Sequence, residues 1–272
     1  MKPFLKWVGG KTQIIHHILS RFPTDLHGNY HEPFLGGGSV LFAFLDQCNQ
    51  GAIRHHGSVF ASDLNPHLIA VYRAIQSDPL AFMDSMEALV TLFEQSPLNL
   101  EEFYYHVREE FNRQPDPVRF LFLNKTGFRG IYREGPRGNL NVPYGHYRNP
   151  CILDRDHIME ISALIQRVTF EVQSFEHAMQ RAAPGDFVYL DPPYVATFAA
   201  YTAAGFSHET HQKLFTLCRE LPCPFLLSNS DAPLVRESFP EEGFHTEVIL
   251  CKRTINSKHP ESKTPEVLVR AR

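Results

Sequence analysis

Short apolar runs that each stop at glycine or aspartate recur along this chain, and stripes of helical spacing separate them. Tyr30–Phe34 runs into Gly36-Gly37-Gly38, and Val40–Leu45 then starts a helix. Val59–Ser62 stops at Asp63, after which Asn65-Pro66 opens a helix with Leu68, Ile69, Tyr72 and Ile75 on one face. Val168–Gln173, Phe187–Leu190, Phe225–Leu227, Val248–Leu250 and Val267–Val269 read as further strands, and Ser207 caps a helix carrying Leu214, Leu217 and Leu221. Strands alternating with helices build an open, mostly parallel sheet, so the fold class is α/β. Such sheets bind ligands at the carboxyl ends of their strands. Gly36–Gly38, Asp63 and Asp191 all fall at such ends.

The middle of the chain changes character. Asp78-Pro79 starts a helix with Phe82, Met86, Leu89 and Phe93 at helical spacing. Asn99, with Glu102 three residues on, caps a second carrying Leu100, Phe103, Tyr104, Val107 and Phe111. Asp116-Pro117 opens a third through Asn124, and a Gly/Arg-rich stretch from Gly127 to Gly145 follows, with hairpin character at Gly135–Gly138. The expected organisation is a mainly helical lobe with a basic hairpin, residues 66–149, inserted into a domain formed by 1–65 and 150–272. Between Val118 and Arg148, Arg119, Lys125, Arg129, Arg133, Arg137 and Arg148 stand against a single acid, Glu134, although the whole chain carries a net charge of −4. A local basic patch on an acidic body suits a phosphate backbone, and on charge alone a solvated loop suits it equally.

Other classes drop out. With 22 Phe and 10 Tyr the chain has ample material for a packed core, which excludes disorder. No apolar run approaches the length of a membrane span, and the opening residues lack a signal-peptide h-region. A cytoplasmic protein is expected, nucleoid-associated in a prokaryotic, phage or viral setting. Cys48, Cys151, Cys218, Cys223 and Cys251 form no CxxC pair and no Cys/His zinc spacing, so reduced thiols and no metal are expected. The paired histidines His16-His17 and His55-His56 read as surface or satisfied residues ahead of metal ligands.

The sharpest chemical signal is Asp191-Pro192-Pro193-Tyr194, directly after the apolar run Phe187–Leu190. Each proline fixes φ and neither donates a hydrogen bond, so the turn is stiff and the Pro192 carbonyl is free to accept. A carboxylate and a carbonyl held side by side are what an aromatic amine needs to become a nucleophile. Gripping both N–H groups pulls nitrogen toward tetrahedral geometry and localises a lone pair otherwise shared with the ring. Tyr194 adds a ring on which a base can stack. The weaker alternative is a rigid turn with an incidental Asp.

Two further stretches complete the pattern. In Glu32-Pro33-Phe34-Leu35-Gly36-Gly37-Gly38-Ser39 the glycines permit close backbone approach to a ligand, but the third glycine of the dinucleotide fingerprint is absent. A smaller adenosine cofactor fits better, with Asp63 taking its ribose hydroxyls or acting as a helix cap. Gly10-Lys11-Thr12 resembles the tail of a phosphate-binding loop, but that pattern requires glycine where Leu5 stands and a preceding strand for which there is no room. Lys11 is instead suited to neutralising a carboxylate, such as that of a methionine moiety.

PFLKWVGGK, EPFLGGGSVLF, SDLNP and VYLDPPY, in this order, resemble the Dam-type DNA adenine-N6 methyltransferases, and FLNKTGFRGIYRE, NLNVPYG and FLLSNSD extend the likeness over nearly the whole length. The resemblance implies a Rossmann-like, class I methyltransferase sheet and S-adenosylmethionine as methyl donor. It implies catalysis by Asp191, Pro192, Pro193 and Tyr194. Cofactor roles follow for Trp7, Lys11, Glu32, Gly36, Gly38, Asp63 and Asp191, with no metal. It makes the inserted lobe the target recognition region for duplex DNA, with Lys6, Lys125, Phe128, Arg129, Arg133, Arg137 and Pro143 as contacts. Arg133 matches the arginine that reads a guanine, often within GATC, and Phe128 matches a residue beside the flipped base. Arg129 stands where asparagine is usual, Glu134-Gly135-Pro136 replaces the usual residues after the arginine, and Leu140 replaces a phenylalanine. These departures fall where bases are read and leave GATC as one candidate site. The segment Val195–Phe206, with Phe198 and Tyr201, is expected to order over the adenine. A monomer or weak dimer is expected. Adenine-N6 methylation of RNA, and a DNA-binding relative without catalysis, stay open as rival readings.

Overall fold

The computed structural model describes residues 1–195, 206–252 and 263–272, so Phe198 and Tyr201 lie outside the described residues. In chain order the elements are α1 (Ile15–Leu19), β1 (Asp25–Leu26), β2 (Tyr30–Glu32), α2 (Ser39–Asn49), β3 (Arg54–His55), β4 (Val59–Asp63) and α3 (Pro66–Ser77). Then come α4 (Pro79–Glu94), α5 (Leu100–Arg113), α6 (Pro117–Thr126), α7 (Arg155–Leu164), β5 (Val168–Val172) and α8 (Phe175–Gln180). The chain continues with β6 (Phe187–Leu190), α9 (His208–Glu220), β7 (Phe225–Ser230), α10 (Pro233–Ser238), β8 (Phe244–Lys252) and β9 (Lys263–Ala271).

Seven strands form one sheet in the order β5-β4-β2-β6-β7-β9-β8. The first five are parallel, with Tyr30 beside Val59 on one side and Phe187 on the other. β9 runs antiparallel to both β7 and β8. The inner strands β2, β6 and β7 are buried along their whole length, as strands covered on both faces must be, which is why Phe187–Leu190 reads as an unbroken apolar run. From β2 the chain winds outward through β4 to β5, then returns to lay β6 on the other side of β2. The winding direction therefore reverses between β2 and β6, and the crevice at their carboxyl ends is where an α/β sheet takes a ligand.

Helix starts follow the local chemistry expected of them. Asn65 accepts from the amides of His67 and Leu68, Asp78 from Ala81, Asn99 from Glu102, Asp116 from Arg119 and Ser207 from Thr210. In the lobe α6 is the central rod: Phe120–Leu123, Asn124 and Thr126 are all buried. α4 packs Phe82, Met83, Met86 and Phe93 inward, and α5 packs Tyr104, Val107 and Phe111. α3, expected at the head of the lobe, packs on β4 and β5 as well as on α4 and α6. One apolar cluster consequently runs without a break from Tyr30 and Val59 in the sheet to Met86, Tyr104 and Phe122 in the lobe.

The strand expectations near the carboxyl end were too short, because β8 and β9 pair over nine residues each. The helices α1, α7, α8 and α10 had not been expected. No helix among the described residues is long and apolar enough to cross a membrane.

The Gly/Arg-rich stretch leaves α6 through a 3₁₀ turn at Phe128–Gly130 and folds back as a short hairpin. The Gly135 amide bonds the Asn139 carbonyl at 2.8 Å, and Glu134 bridges Leu140. Asn112 of α5 clamps the returning arm, accepting from the Leu140 amide at 2.8 Å and donating to the Leu140 carbonyl at 3.0 Å. Asn112→Ala strands both backbone groups and is expected to cost the hairpin roughly 1–3 kcal/mol of local stability. Hydrogen exchange should quicken at the Leu140 amide; unchanged exchange there would discard the clamp.

Candidate active site

The turn after β2 is built on glycine because nothing else fits. Gly36 has φ 49° and Gly38 φ 71°, both left-handed. A Cβ on Gly36 would lie 2.9 Å from Cδ1 of Trp7, and one on Gly38 would lie 2.7 Å from the Tyr72 hydroxyl. The Trp7 indole therefore lies against the turn. Tyr72 donates to the Gly36 carbonyl at 3.0 Å, while Asp63 accepts from the Gly36 amide at 3.0 Å and from the Asn65 amide at 3.0 Å. Asp63 thus ties the glycine turn to the start of α3, and the helix cap itself is Asn65. Burial raises the Asp63 carboxyl above its ordinary pKa. Glu32 lies deeper, 3% exposed, accepting from the Tyr30 hydroxyl at 2.6 Å. Burial pushes its carboxyl up to about 8, so it holds a proton at neutral pH.

The second turn follows β6, on the other side of the reversal. Lys11, 4% exposed, sets its ammonium 2.7 Å from Asp191 Oδ2 and donates to the Gly9 carbonyl at 2.6 Å. Its amide donates to Ser39 Oγ at 3.1 Å, which straps the amino-terminal segment over both turns. Lys11, suited by its charge to neutralising a carboxylate, faces that of Asp191 in the structure. Asp191 Oδ1 is buried and has no hydrogen-bond partner among the described residues. Burial raises the Asp191 carboxyl to about 6, with Lys11 opposing the shift and Glu266 adding to it. No donor among the described residues reaches the Pro192 carbonyl, whereas the Pro193 carbonyl pairs with His211 Nε2 at 2.8 Å. Tyr194 donates to Glu266 at 2.8 Å, and Lys11 Nζ lies 4.9 Å from the Tyr194 ring centre. The amide of Val195 donates to Asn229 Oδ1 at 3.1 Å, and Ser230 Oγ donates to the Val195 carbonyl at 2.8 Å.

His211, Asn229, Ser230 and Glu266 were not singled out from the sequence. Asn229 and Ser230 carried a readable signal, as polar residues closing the apolar strand β7. Glu266 and His211 meet the turn only through pairing of β9 with β7 and the placement of α9.

The residues expected at DNA lie along the lobe and its hairpin. Phe128 is 43% exposed, with the Arg129 guanidinium 5.2 Å from its ring centre, and Arg129 itself has φ 56°. Arg133 is exposed and oriented: Nε donates to Asn141 Oδ1 at 2.7 Å and Nη2 to the Asn141 carbonyl at 3.1 Å. Arg137, near the hairpin tip, and Pro143 are exposed, and the Pro143 carbonyl accepts from the Phe128 amide. Lys6 is engaged within the protein, with Nζ 2.8 Å from the Lys125 carbonyl and 3.7 Å from the Tyr147 ring centre. Burial lowers the pKa of both the Lys6 and the Lys125 ammonium. Tyr132 joins the two regions: its ring stacks on Trp7 at 6.2 Å and 22°, and its hydroxyl bonds Glu134 beside Arg133.

One group of metal-ligand type exists among the described residues, Asp25, His27 and His56. It sits by the short β1–β3 pair, ahead of β2 and β4 and so at the opposite end of the sheet from Asp191.

A family model described as D12 class N6 adenine-specific DNA methyltransferase matches residues 7–252 of this chain. The type II methyltransferase M.MjaIII of Methanocaldococcus jannaschii is 34% identical, over 97% of this chain and 96% of the relative. The Retron Ec67 DNA adenine methylase of Escherichia coli is 32% identical, over 99% and 90%, and the DNA adenine methylase of Escherichia coli 31%, over 94% and 90%.

Glu32 makes a pH test. Its folded pKa is raised, so from about its ordinary 4.5 to about 8 the folded chain keeps a proton that the unfolded chain has released. Its contribution to stability is complete below that window and is lost as pH rises through about 8. Glu32→Gln is expected to flatten the fall in urea midpoint between neutral pH and the far side of that value; an unchanged slope would remove Glu32 as its source.

Proposed function

Since the chain belongs to the D12 class of N6 adenine-specific DNA methyltransferases, we propose that it moves a methyl group from S-adenosylmethionine to the N6 amine of an adenine flipped out of duplex DNA, gripped by Asp191 and the Pro192 carbonyl. The observation that carries this reading is a pair of acceptors at one turn, the buried Asp191 Oδ1 and the Pro192 carbonyl, neither with a partner among the described residues. Two acceptors at one stiff turn match the two protons of an aromatic amine. Lys11 neutralises the other carboxylate oxygen, which keeps Asp191 ionised at neutral pH despite its burial. The methylated nitrogen must shed a proton, and Asp191 Oδ1, without a partner among the described residues, is read as its acceptor.

The glycine turn at Gly36 and Gly38, roofed by Trp7, fits an adenosine-type donor, with Lys11, Glu32 and Asp63 around it. When bound, that donor supplies an electrophilic methyl group on a positively charged sulfur. The charge favours the ionised state of Asp191 still further.

The lobe, residues 66–149, is read as the target recognition region. Lys125, Arg129 and Arg137 are read as meeting the phosphate backbone, Lys6 as reaching a base edge from the N-terminal side, and Pro143 as a further DNA contact on the loop after Arg133. Phe128 fills the stack beside the flipped base, whose extrusion costs a few kcal/mol. Arg133 reads a guanine, GATC being one candidate context. Asn141 supports this assignment by holding two guanidinium nitrogens and turning the rest of the fork outward. The chain is read as acting alone or as a weak dimer, in the compartment that holds the DNA.

Asp191→Ala is expected to lower methyl transfer to a duplex by at least about 10²-fold, measured as N6-methyladenine after digestion to nucleosides. Near-normal transfer would end the proposed grip. Arg133→Ala is expected to forfeit roughly 1–3 kcal/mol of discrimination at one base pair. Methyl-sensitive long-read sequencing of treated DNA would then show one position of the site relaxed; an unchanged motif removes Arg133 as the reader.

A further inference from the structure

We propose that His211 is a positioning residue for methyl transfer, holding the Pro193 carbonyl so that the adjoining Pro192 carbonyl stays aimed at the amine; this rests on the grip described above. Proline fixes φ but leaves ψ soft, and the direction of a carbonyl reports ψ. In a Pro-Pro turn the Pro192–Pro193 peptide has no amide proton to anchor its plane, so that plane must be held through its neighbours. His211, in the first turn of α9, does this from a buried position, 3% exposed, with Nε2 2.8 Å from that oxygen. A carbonyl only accepts, so the ring ties Pro193 in the form that carries a proton on Nε2. Nδ1 lies 3.0 Å from the Ser207 carbonyl, which already accepts from the amide of His211. Ser207 thus has a second donor, whereas the Pro193 carbonyl has none besides the ring among the described residues.

The ring has little freedom. Phe206 packs edge-on to it at 4.6 Å and Phe215 lies at 5.9 Å. Each neighbouring residue of the turn has its own tie: Lys11 on Asp191, Glu266 on Tyr194 and Asn229 on Val195. His211 supplies the tie at Pro193, and Pro192 keeps its carbonyl for substrate.

The test compares His211→Leu, His211→Gln and His211→Asn. Leu removes the donor, Gln restores an N–H at similar reach, and Asn falls short. His211→Leu is expected to lower kcat roughly 10- to 100-fold while KM for duplex and the Kd for S-adenosylmethionine hold within about twofold, since misplacement by an ångström acts on the step and not on affinity. His211→Gln is expected to recover most of kcat and His211→Asn little of it. Should His211→Leu fail to fold, the Gln and Asn variants, matched for Tm, decide the matter. Equal kcat in Gln and Asn, or wild-type kcat in Leu, overturns the assignment. An active Asp191→Ala enzyme would instead overturn the grip on which it rests, so the two failures are distinguishable.

Discussion

A buried carboxylate with one oxygen neutralised and the other unmatched organises this molecule. Burying Asp191 is costly unless a cation accompanies it, and Lys11 is that cation. Lys11 reaches the site only because the amino-terminal segment crosses the sheet, pinned by the Ser39 hydroxyl and by the Lys6–Asn124 pair of main-chain contacts. The segment also delivers Trp7 to the glycine turn. One ion pair thus explains why residues nearest the amino terminus belong to a site made by strands far along the chain.

The topology places the two turns together. Because the winding reverses between β2 and β6, Gly36–Gly38 and Asp191–Tyr194 leave neighbouring strands at the same end of the sheet. Neither turn is held by its own sequence alone. Asp63 and Tyr72 fix the first, and His211, Asn229 and Glu266 fix the second. Rigid acceptors need no reorganisation when charge develops, which is what makes a preformed turn catalytically useful.

What was legible in the sequence was local. Caps at Asn65, Asp78, Asn99, Asp116 and Ser207 depend on a residue and the amides two or three places on, and all five formed as read. The fully buried strand β6 announced itself as an apolar run ending in Asp191. The chemistry of the Asp-Pro-Pro-Tyr turn followed from residue types, and its family likeness from several ordered stretches. What was not legible depends on distance along the chain. His211, Asn229 and Glu266 gain meaning only from the elements that carry them to the turn. α7, with Ile158, Ile161 and Leu164 inward behind the Asp154 cap, carried a readable pattern that was not used. The double duty of α3, on the sheet and on the lobe, leaves no trace in periodicity because both surfaces ask for apolar residues.

The unbroken apolar cluster from β2 and β4 to α5 and α6 has a mechanical meaning. Among the described residues no seam separates sheet from lobe. Swinging the lobe as a body would tear close-packed side chains apart, and such interiors deform little. The short hairpin beyond Phe128 is tied to the same cluster by Asn112 and by the buried Leu140 and Val142. On the proposed reading, a duplex taken by the lobe meets a surface of fixed shape, so bending falls to the nucleic acid, and sequences that bend readily are favoured before any base edge is touched.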